Sequence, residues 1–276
     1  MHLVIQGADV STPDLKHLAK LSGASRIERT ADTVFRLHDA RQADGIASAC
    51  EAAQLDYAFV PAERRFADFR LLVMDMDSTL ITIETIDELA DLVGLKPQVA
   101  EITARAMRGE IEYDESLRNR VALLAGLDET ALDRVYDERL KLSPGAEELL
   151  GAAKRAGIRT LLVSGGFTRI TERLKPRLGL DYTYANTLET SNGKLTGRIV
   201  GRIVNADGKR EELIRVRDAL GIERAQIIAI GDGANDLKFM GEAGVSVAYH
   251  AKPVVRNQAT HAVNHVGLDA VLHLFN

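Results

Sequence analysis

The stretch Leu71-Leu72-Val73-Met74-Asp75-Met76-Asp77-Ser78-Thr79 runs four apolar residues directly into two carboxylates one residue apart. A short continuous apolar run reads as a strand buried on both faces, the mark of a parallel sheet covered by helices. Asp75 and Asp77 then fall at the strand's carboxyl end, where open α/β sheets bind ligands. Similar apolar runs recur at 160–163 and 227–230, separated by helical patterns. The expected fold is therefore α/β, a doubly wound parallel sheet over residues 70–83 and 144–276. Two adjacent carboxylates repel each other, and a hard dication relieves this, because Mg²⁺ accepts carboxylate and carbonyl oxygens and shares its shell with phosphate. A pair of solvated loop acids capping a helix has the same spelling.

Working outward, residues 84–143 carry only helical patterns, at 86–93, 99–107, 115–124 and 129–140. That block is too long for one crossover helix and reads as a helical cap inserted over the sheet. Asn192-Gly193, between 187–190 and 194–204, signals a two-residue hairpin. Upstream, short strands at 2–6, 25–29, 33–37 and 57–60 alternate with helices at 12–21 and 41–53. This βαββαβ order predicts a small α+β ferredoxin-like domain over 1–62, followed by a linker at 63–69. No catalytic cluster falls in it, so it reads as a packing, dimerising or regulatory module, with a homodimer through this domain as the oligomeric expectation.

The chain has 276 residues, 46% hydrophobic and 27% charged, which excludes disorder along its whole length. With 35 Lys and Arg against 40 Asp and Glu, the net charge of −5 gives no general attraction to nucleic acid or an anionic membrane. Cys50 is the only cysteine, so no internal disulfide forms, and no Cys/His cluster has structural-zinc spacing. Neither an apolar run of about 18 residues nor a secretory leader is recognisable, and a cytoplasmic location is expected.

Three further motifs gather around the first. Gly231-Asp232-Gly233-Ala234-Asn235-Asp236 follows the apolar run 227–230, so a second acidic cluster faces the same edge. Asp236 also reads as a simple helix cap, although two such strand-end clusters together favour a shared site. Ser164-Gly165-Gly166 leaves the run 160–163 ahead of a helix beginning near Thr168, a hydroxyl and backbone N–H arrangement suited to phosphoryl oxygen. Lys209, after Asp207-Gly208, offers a positive charge to the same phosphate, whereas an ordinary surface lysine is its plain alternative.

These four elements, in this order, resemble the haloacid dehalogenase-like phosphohydrolase superfamily, with its Rossmannoid core and a helical cap directly after the first motif. Within it, Asp75-Met-Asp-Ser-Thr-Leu, Glu84-Thr-Ile-Asp-Glu, Ser116-Leu-Arg-Asn-Arg-Val, Ser164-Gly-Gly-Phe and Gly231-Asp-Gly-Ala-Asn-Asp closely resemble the phosphoserine phosphatase family. Bacterial members of that family also carry an N-terminal ferredoxin-like (ACT-like) domain. The resemblance implies hydrolysis of a small-molecule phosphomonoester, O-phospho-L-serine, as the last step of serine biosynthesis. It implies Asp75 as nucleophile, Asp77 as general acid, and Mg²⁺ held by Asp75, the backbone carbonyl of Asp77, and Asp232, with Asp236 ordering water around the metal. Ser164, Gly165, Lys209 and Asn235 would hold phosphate. Glu84 would meet the substrate's ammonium and Arg120 its carboxylate, with Met107 and Tyr113 over the substrate. Phosphoryl transfer to an alcohol such as homoserine, hydrolysis of another small phosphomonoester, and a non-enzymatic phospho-aspartate signalling module remain as alternatives. The long cap and the Asp77 acid disfavour the signalling module.

Overall fold

The computed structural model describes all 276 residues, Met1–Asn276. Its N-terminal part alternates β1 (His2–Gln6), α1 (Thr12–Ser22), β2 (Arg26–Ala31), β3 (Val34–His38), α2 (Ile46–Ala52) and β4 (Asp56–Val60). The strands form an antiparallel sheet in the order β2-β3-β1-β4, the split βαβ arrangement. Helix α1 starts where Ser11 Oγ accepts the Asp14 N–H at 3.2 Å, and it stops at Gly23, whose φ of 64° an L side chain rarely adopts. Helix α2 is shorter than the 41–53 pattern. Its first turn follows Gly45 at φ 89°, and the Arg41 N–H is already committed to the Ser22 carbonyl at 2.9 Å. Leu3 and Ile5 of β1, Leu37 of β3, Leu15 and Leu18 of α1, and Ile46 and Cys50 of α2 make one core.

The alternate side chains of β1 and β3 point to the opposite face. There Gln6 Nε2 donates to the Ala270 carbonyl at 3.2 Å and Arg36 Nη2 to the Phe275 carbonyl at 2.7 Å. At the start of β4, buried Asp56 accepts the backbone N–H of Asn264 on Oδ1 at 2.7 Å and that of His265 on Oδ2 at 2.8 Å. Phe275 packs its ring against Phe66 and Phe69, with centroids 5.6 and 4.9 Å away. The last dozen residues of the chain are thus fastened to its first seventy.

After Phe69 the chain runs β5 (Leu71–Met74), α3 (Thr85–Asp91), α4 (Lys96–Met107), α5 (Tyr113–Ala122) and α6 (Ala131–Arg134). It continues as α7 (Ala146–Arg155), β6 (Arg159–Phe167), α8 (Thr168–Leu178), β7 (Tyr182–Ser191), β8 (Lys194–Val200) and α9 (Ala206–Leu220). Last come β9 (Ile227–Gly231), α10 (Leu237–Met240), β10 (Val245–Tyr249), α11 (Pro253–Arg256) and β11 (His261–Val263). A seven-stranded, mostly parallel sheet has the order β11-β10-β9-β5-β6-β7-β8, so the α/β expectation holds. The hairpin forms as read: Asn192 at φ 51° and Gly193 at φ 75° join β7 to antiparallel β8. The helical pattern at 129–140 instead divides into the single turn α6 and a π-helical stretch, Val135–Arg139, closed by the Leu140 N–H on the Val135 carbonyl at 2.9 Å. No helix is long and apolar enough to cross a membrane.

Compactness groups the chain into two units, Met1–Leu72 with Pro144–Arg159 and Ile222–Asn276, and Val73–Ser143 with Thr160–Gly221. Within the first unit, Asp56 is the buried carboxylate among the polar ties between the N-terminal sheet and the residues after β11. Asp56→Ala takes the carboxylate acceptor from the partly buried N–H groups of Asn264 and His265, and we expect a loss of about 1 to 3 kcal/mol in urea unfolding. A loss below about 0.5 kcal/mol would show that water or relaxation replaces the carboxylate.

Candidate active site

In the second unit, Asp75 leaves the end of β5 with a side chain only 9% exposed. Its Oδ1 accepts the Met76 N–H at 2.7 Å and lies 2.8 Å from Lys209 Nζ, on a side chain 1% exposed. The surface-lysine alternative is therefore wrong. Lys209 occupies the first turn of α9, a helix opened by Asn205, whose Oδ1 accepts the Gly208 N–H at 3.0 Å. A buried ammonium is tolerable only beside a carboxylate, which is what Asp75 supplies.

Asp77, two residues after Asp75, meets a different environment. Thr85 Oγ1 donates to its Oδ1 at 2.6 Å. Burial first, and the nearby Glu84 carboxylate second, hold the Asp77 carboxyl well above the usual range, while the Thr85 hydrogen bond opposes them. Ser78, next in the chain, turns its hydroxyl onto Glu84 Oε1 at 2.7 Å.

Strand β6 continues past the expected end at Val163 to Phe167, with its register against β7 shifting between these two residues. Ser164 is fully buried there, and its Oγ accepts the Gly166 N–H at 2.8 Å. Both glycines sit in close approach: a Cβ on Gly165 would collide with the Tyr113 hydroxyl, and one on Gly166 would lie 2.7 Å from Met76 Cε, so either side chain would have to shift. This brings Tyr113 of α5 against the Ser164 loop. Arg120, farther along α5, is half-buried and donates from Nε to the Ser116 carbonyl at 3.4 Å. Met107, at the end of α4, is 67% exposed.

Asn186 escaped the sequence reading. It is buried on β7, donates from Nδ2 to the Gly165 carbonyl at 2.8 Å, and accepts the Val204 N–H on Oδ1 at 2.8 Å. One amide thereby ties the Ser164 loop to the segment that leads into Lys209. Nothing but an isolated Asn inside an otherwise ordinary strand pattern marked it. Asn205 adds a tie to α5, donating from Nδ2 to Asp114 Oδ1 at 3.0 Å.

In the first unit, Asp232 follows β9, and Asp236 is fully buried. Asp236 Oδ2 accepts the N–H groups of Asp232 at 3.2 Å and Gly233 at 3.0 Å, closing the loop that carries part-exposed Asn235. Asp75 in the second unit and Asp232 and Asp236 in the first are three acidic residues of the kind that hold a metal ion. All-carboxylate donors suit a hard cation. The Asp77 carboxylate is outside this set and is taken up by Thr85.

The profile of the haloacid dehalogenase-like hydrolases matches residues 72–241, and that of a domain of unknown function matches 3–46. A Polaromonas sp. protein named phosphoserine phosphatase is 56% identical over 215 residues, spanning 76% of this chain and 91% of that relative. The crystal structure of a haloacid dehalogenase family hydrolase from Salmonella enterica serovar Typhi superposes with a TM-score of 0.90 at 31% identity, covering 100% of this chain and 98% of its own. That of a probable phosphoserine phosphatase from Vibrio cholerae, unliganded, gives 0.87 at 36% identity, covering 99% and 86%.

The Asp75–Lys209 pair predicts a measurable coupling. In chelator, Lys209→Met strands a buried carboxylate and costs about 3 to 5 kcal/mol in urea unfolding, and adding Asp75→Asn recovers part of that loss. Additive losses in the double variant would contradict a direct buried pair.

Proposed function

The chain belongs to the phosphoserine phosphatase family within the haloacid dehalogenase-like hydrolases, and from that premise we propose that it hydrolyses O-phospho-L-serine to L-serine and phosphate in two steps through Asp75. The observation that carries the reading is the buried Asp75 carboxylate, 2.8 Å from Lys209 and in the same unit as the buried Ser164 hydroxyl.

In the first step an Asp75 oxygen forms a bond to phosphorus while the bond from phosphorus to the serine oxygen breaks. Asp77 gives its proton to that departing oxygen, a task for which a carboxyl held above its usual range is suited. In the second step the ionised Asp77 takes a proton from water, the resulting hydroxide forms the new bond to phosphorus, and Asp75 is released. Lys209, the Ser164 hydroxyl and the Gly165 N–H face the phosphoryl oxygens, with Asn235 assisting. The alignment of this loop depends on the amide of Asn186. Mg²⁺ would be held by the carboxylates of Asp75 and Asp232 and, as in the family, by the backbone carbonyl of Asp77, while Asp236 holds the Asp232 loop closed. The ion would supply positive charge against the phosphate dianion.

Glu84 is assigned to the substrate's ammonium and Arg120 to its carboxylate, since a guanidinium fork binds carboxylate in two places. Tyr113 and Met107 are assigned to the cap surface over the substrate. The reaction needs no second macromolecule, and a cytoplasmic setting suits a biosynthetic role.

Phosphate release from a panel of phosphomonoesters, with and without homoserine, tests the reading and separates hydrolysis from transfer. Chelation abolishes release and Mg²⁺ restores it. Arg120→Ala lowers kcat/KM for phosphoserine about 10- to 150-fold, the equivalent of one charge-assisted hydrogen bond, while a phosphate ester without a carboxylate changes little. An equal loss on both substrates would assign Arg120 to the cap's structure instead.

A further inference from the structure

The loop leaving β5 and the first turn of α3 are clasped by two hydroxyl–carboxylate hydrogen bonds that run in opposite directions. Ser78 Oγ donates to Glu84 Oε1 at 2.7 Å, and Thr85 Oγ1 donates to Asp77 Oδ1 at 2.6 Å. Ser78 follows Asp77 and Thr85 follows Glu84 in the chain, so the two bonds cross.

Local stability asks for neither bond. Ser78 sits at φ 57°, a left-handed backbone that Gly or Asn takes more readily than Ser, and the turn is closed by backbone alone: the Ser78 N–H on the Ile83 carbonyl at 3.3 Å, and the Thr79 and Ile81 N–H groups on the Met76 carbonyl at 3.3 and 2.9 Å. Glu84 stands immediately before α3, where a side chain ordinarily caps the free N–H groups, yet its carboxylate makes no such bond. A strained residue and a forgone cap thus meet in the Ser78–Glu84 bond, on the carboxylate assigned above to the ammonium and beside the one assigned to the leaving-group proton. Strain retained at such a place is the pattern expected where geometry serves chemistry.

We propose that Ser78 and Thr85 are positioning residues for this reaction, Ser78 aiming Glu84 at the substrate's ammonium and Thr85 orienting the carboxyl of Asp77. The proposal rests on the assignment of those two carboxylates. Thr85 is fully buried and its hydroxyl holds Oδ1 of Asp77, which fixes the direction of the other oxygen, Oδ2. An added Cβ on Gly166 would lie 3.1 Å from Oδ2, which places that oxygen on the side of the Ser164 loop. Because each hydroxyl is the chain neighbour of the other's carboxylate, the group that recognises the amino end and the acid are held as one piece.

The two hydroxyls carry different kinetic signatures. The test measures kcat and KM for phosphoserine and for 3-phosphooxypropanoate, the same molecule without its ammonium. Ser78→Ala and Ser78→Gly raise KM for phosphoserine about 3- to 10-fold and leave the ammonium-free ester within about 2-fold. The glycine variant removes the hydroxyl while relieving the backbone, so a folding defect in the alanine variant does not obscure the result. Thr85→Val lowers kcat about 3- to 10-fold on both substrates at unchanged KM, and Thr85→Ser restores it. Equal losses on both substrates in Ser78→Gly, or an unchanged kcat in Thr85→Val, would overturn the proposal. Glu84→Gln distinguishes its failure from failure of the underlying reading. If that variant erases the preference for phosphoserine and Ser78→Gly does not, the amino-end assignment stands and the Ser78 role falls. If Glu84→Gln leaves the preference intact, the assignment falls and takes the Ser78 role with it.

Discussion

The buried contact between Asp75 and Lys209 sets the terms for everything around it. Either charge alone would cost several kcal/mol to remove from water, so each requires the other to be delivered to the same place. The carboxylate arrives on the end of β5 and the ammonium on the first turn of α9, 2.8 Å apart. Two segments distant in the chain must therefore be located to within a fraction of an ångström. The side chain of Asn205 starts α9 in the right place, Asn186 joins the segment ahead of it to Gly165, and the bare Cα atoms of Gly165 and Gly166 let Tyr113 and Met76 close in.

That demand explains why so much buried polarity is tolerated. Ser164, Asn186, Lys209 and Thr85 are all almost entirely shielded from water, a combination that would be costly in an ordinary core. Each has a partner within hydrogen-bond distance, on the end of β5 or on the residues Ser164–Gly166. Donors fixed in this way before substrate arrives are what stabilising charge on a transferring phosphoryl group requires. Asp77 and Asp75 illustrate how position divides labour between like residues. Asp75 is paired with an ammonium, while Asp77 is surrounded by burial and a neighbouring carboxylate that favour its protonated form.

Much of this was legible in the sequence because its signals are local. Apolar runs ending in acids mark β5 and β9, Asn192-Gly193 marks the hairpin, and Ser164-Gly165-Gly166 marks a hydroxyl with open backbone N–H groups at the end of the run 160–163, although β6 itself runs on to Phe167. What remained hidden depends on tertiary register. Asn186 looks like any strand residue until β7 is laid beside β6, and the burial of Lys209 cannot be read from its neighbours Gly208 and Arg210. Strands β10 and β11 are short and follow turn-rich segments, so periodicity alone did not separate them from loops. The start of α2 was misplaced because Arg41, with a helical pattern after it, spends its N–H on Ser22 instead of on a helical turn. The role of the final residues was equally silent, since Asp56 earns its burial only by accepting N–H groups from Asn264 and His265.

The central claim is that Asp75, held by Lys209, is the group that accepts phosphate. The most direct measurement is the mass of protein quenched in acid during steady turnover of phosphoserine, followed by peptide mapping. The account predicts one added phosphoryl group on the peptide carrying Asp75, absent when the same quench is applied to Asp75→Asn. Phosphate on the Asp75→Asn protein, or on any other residue of the wild type, would contradict it.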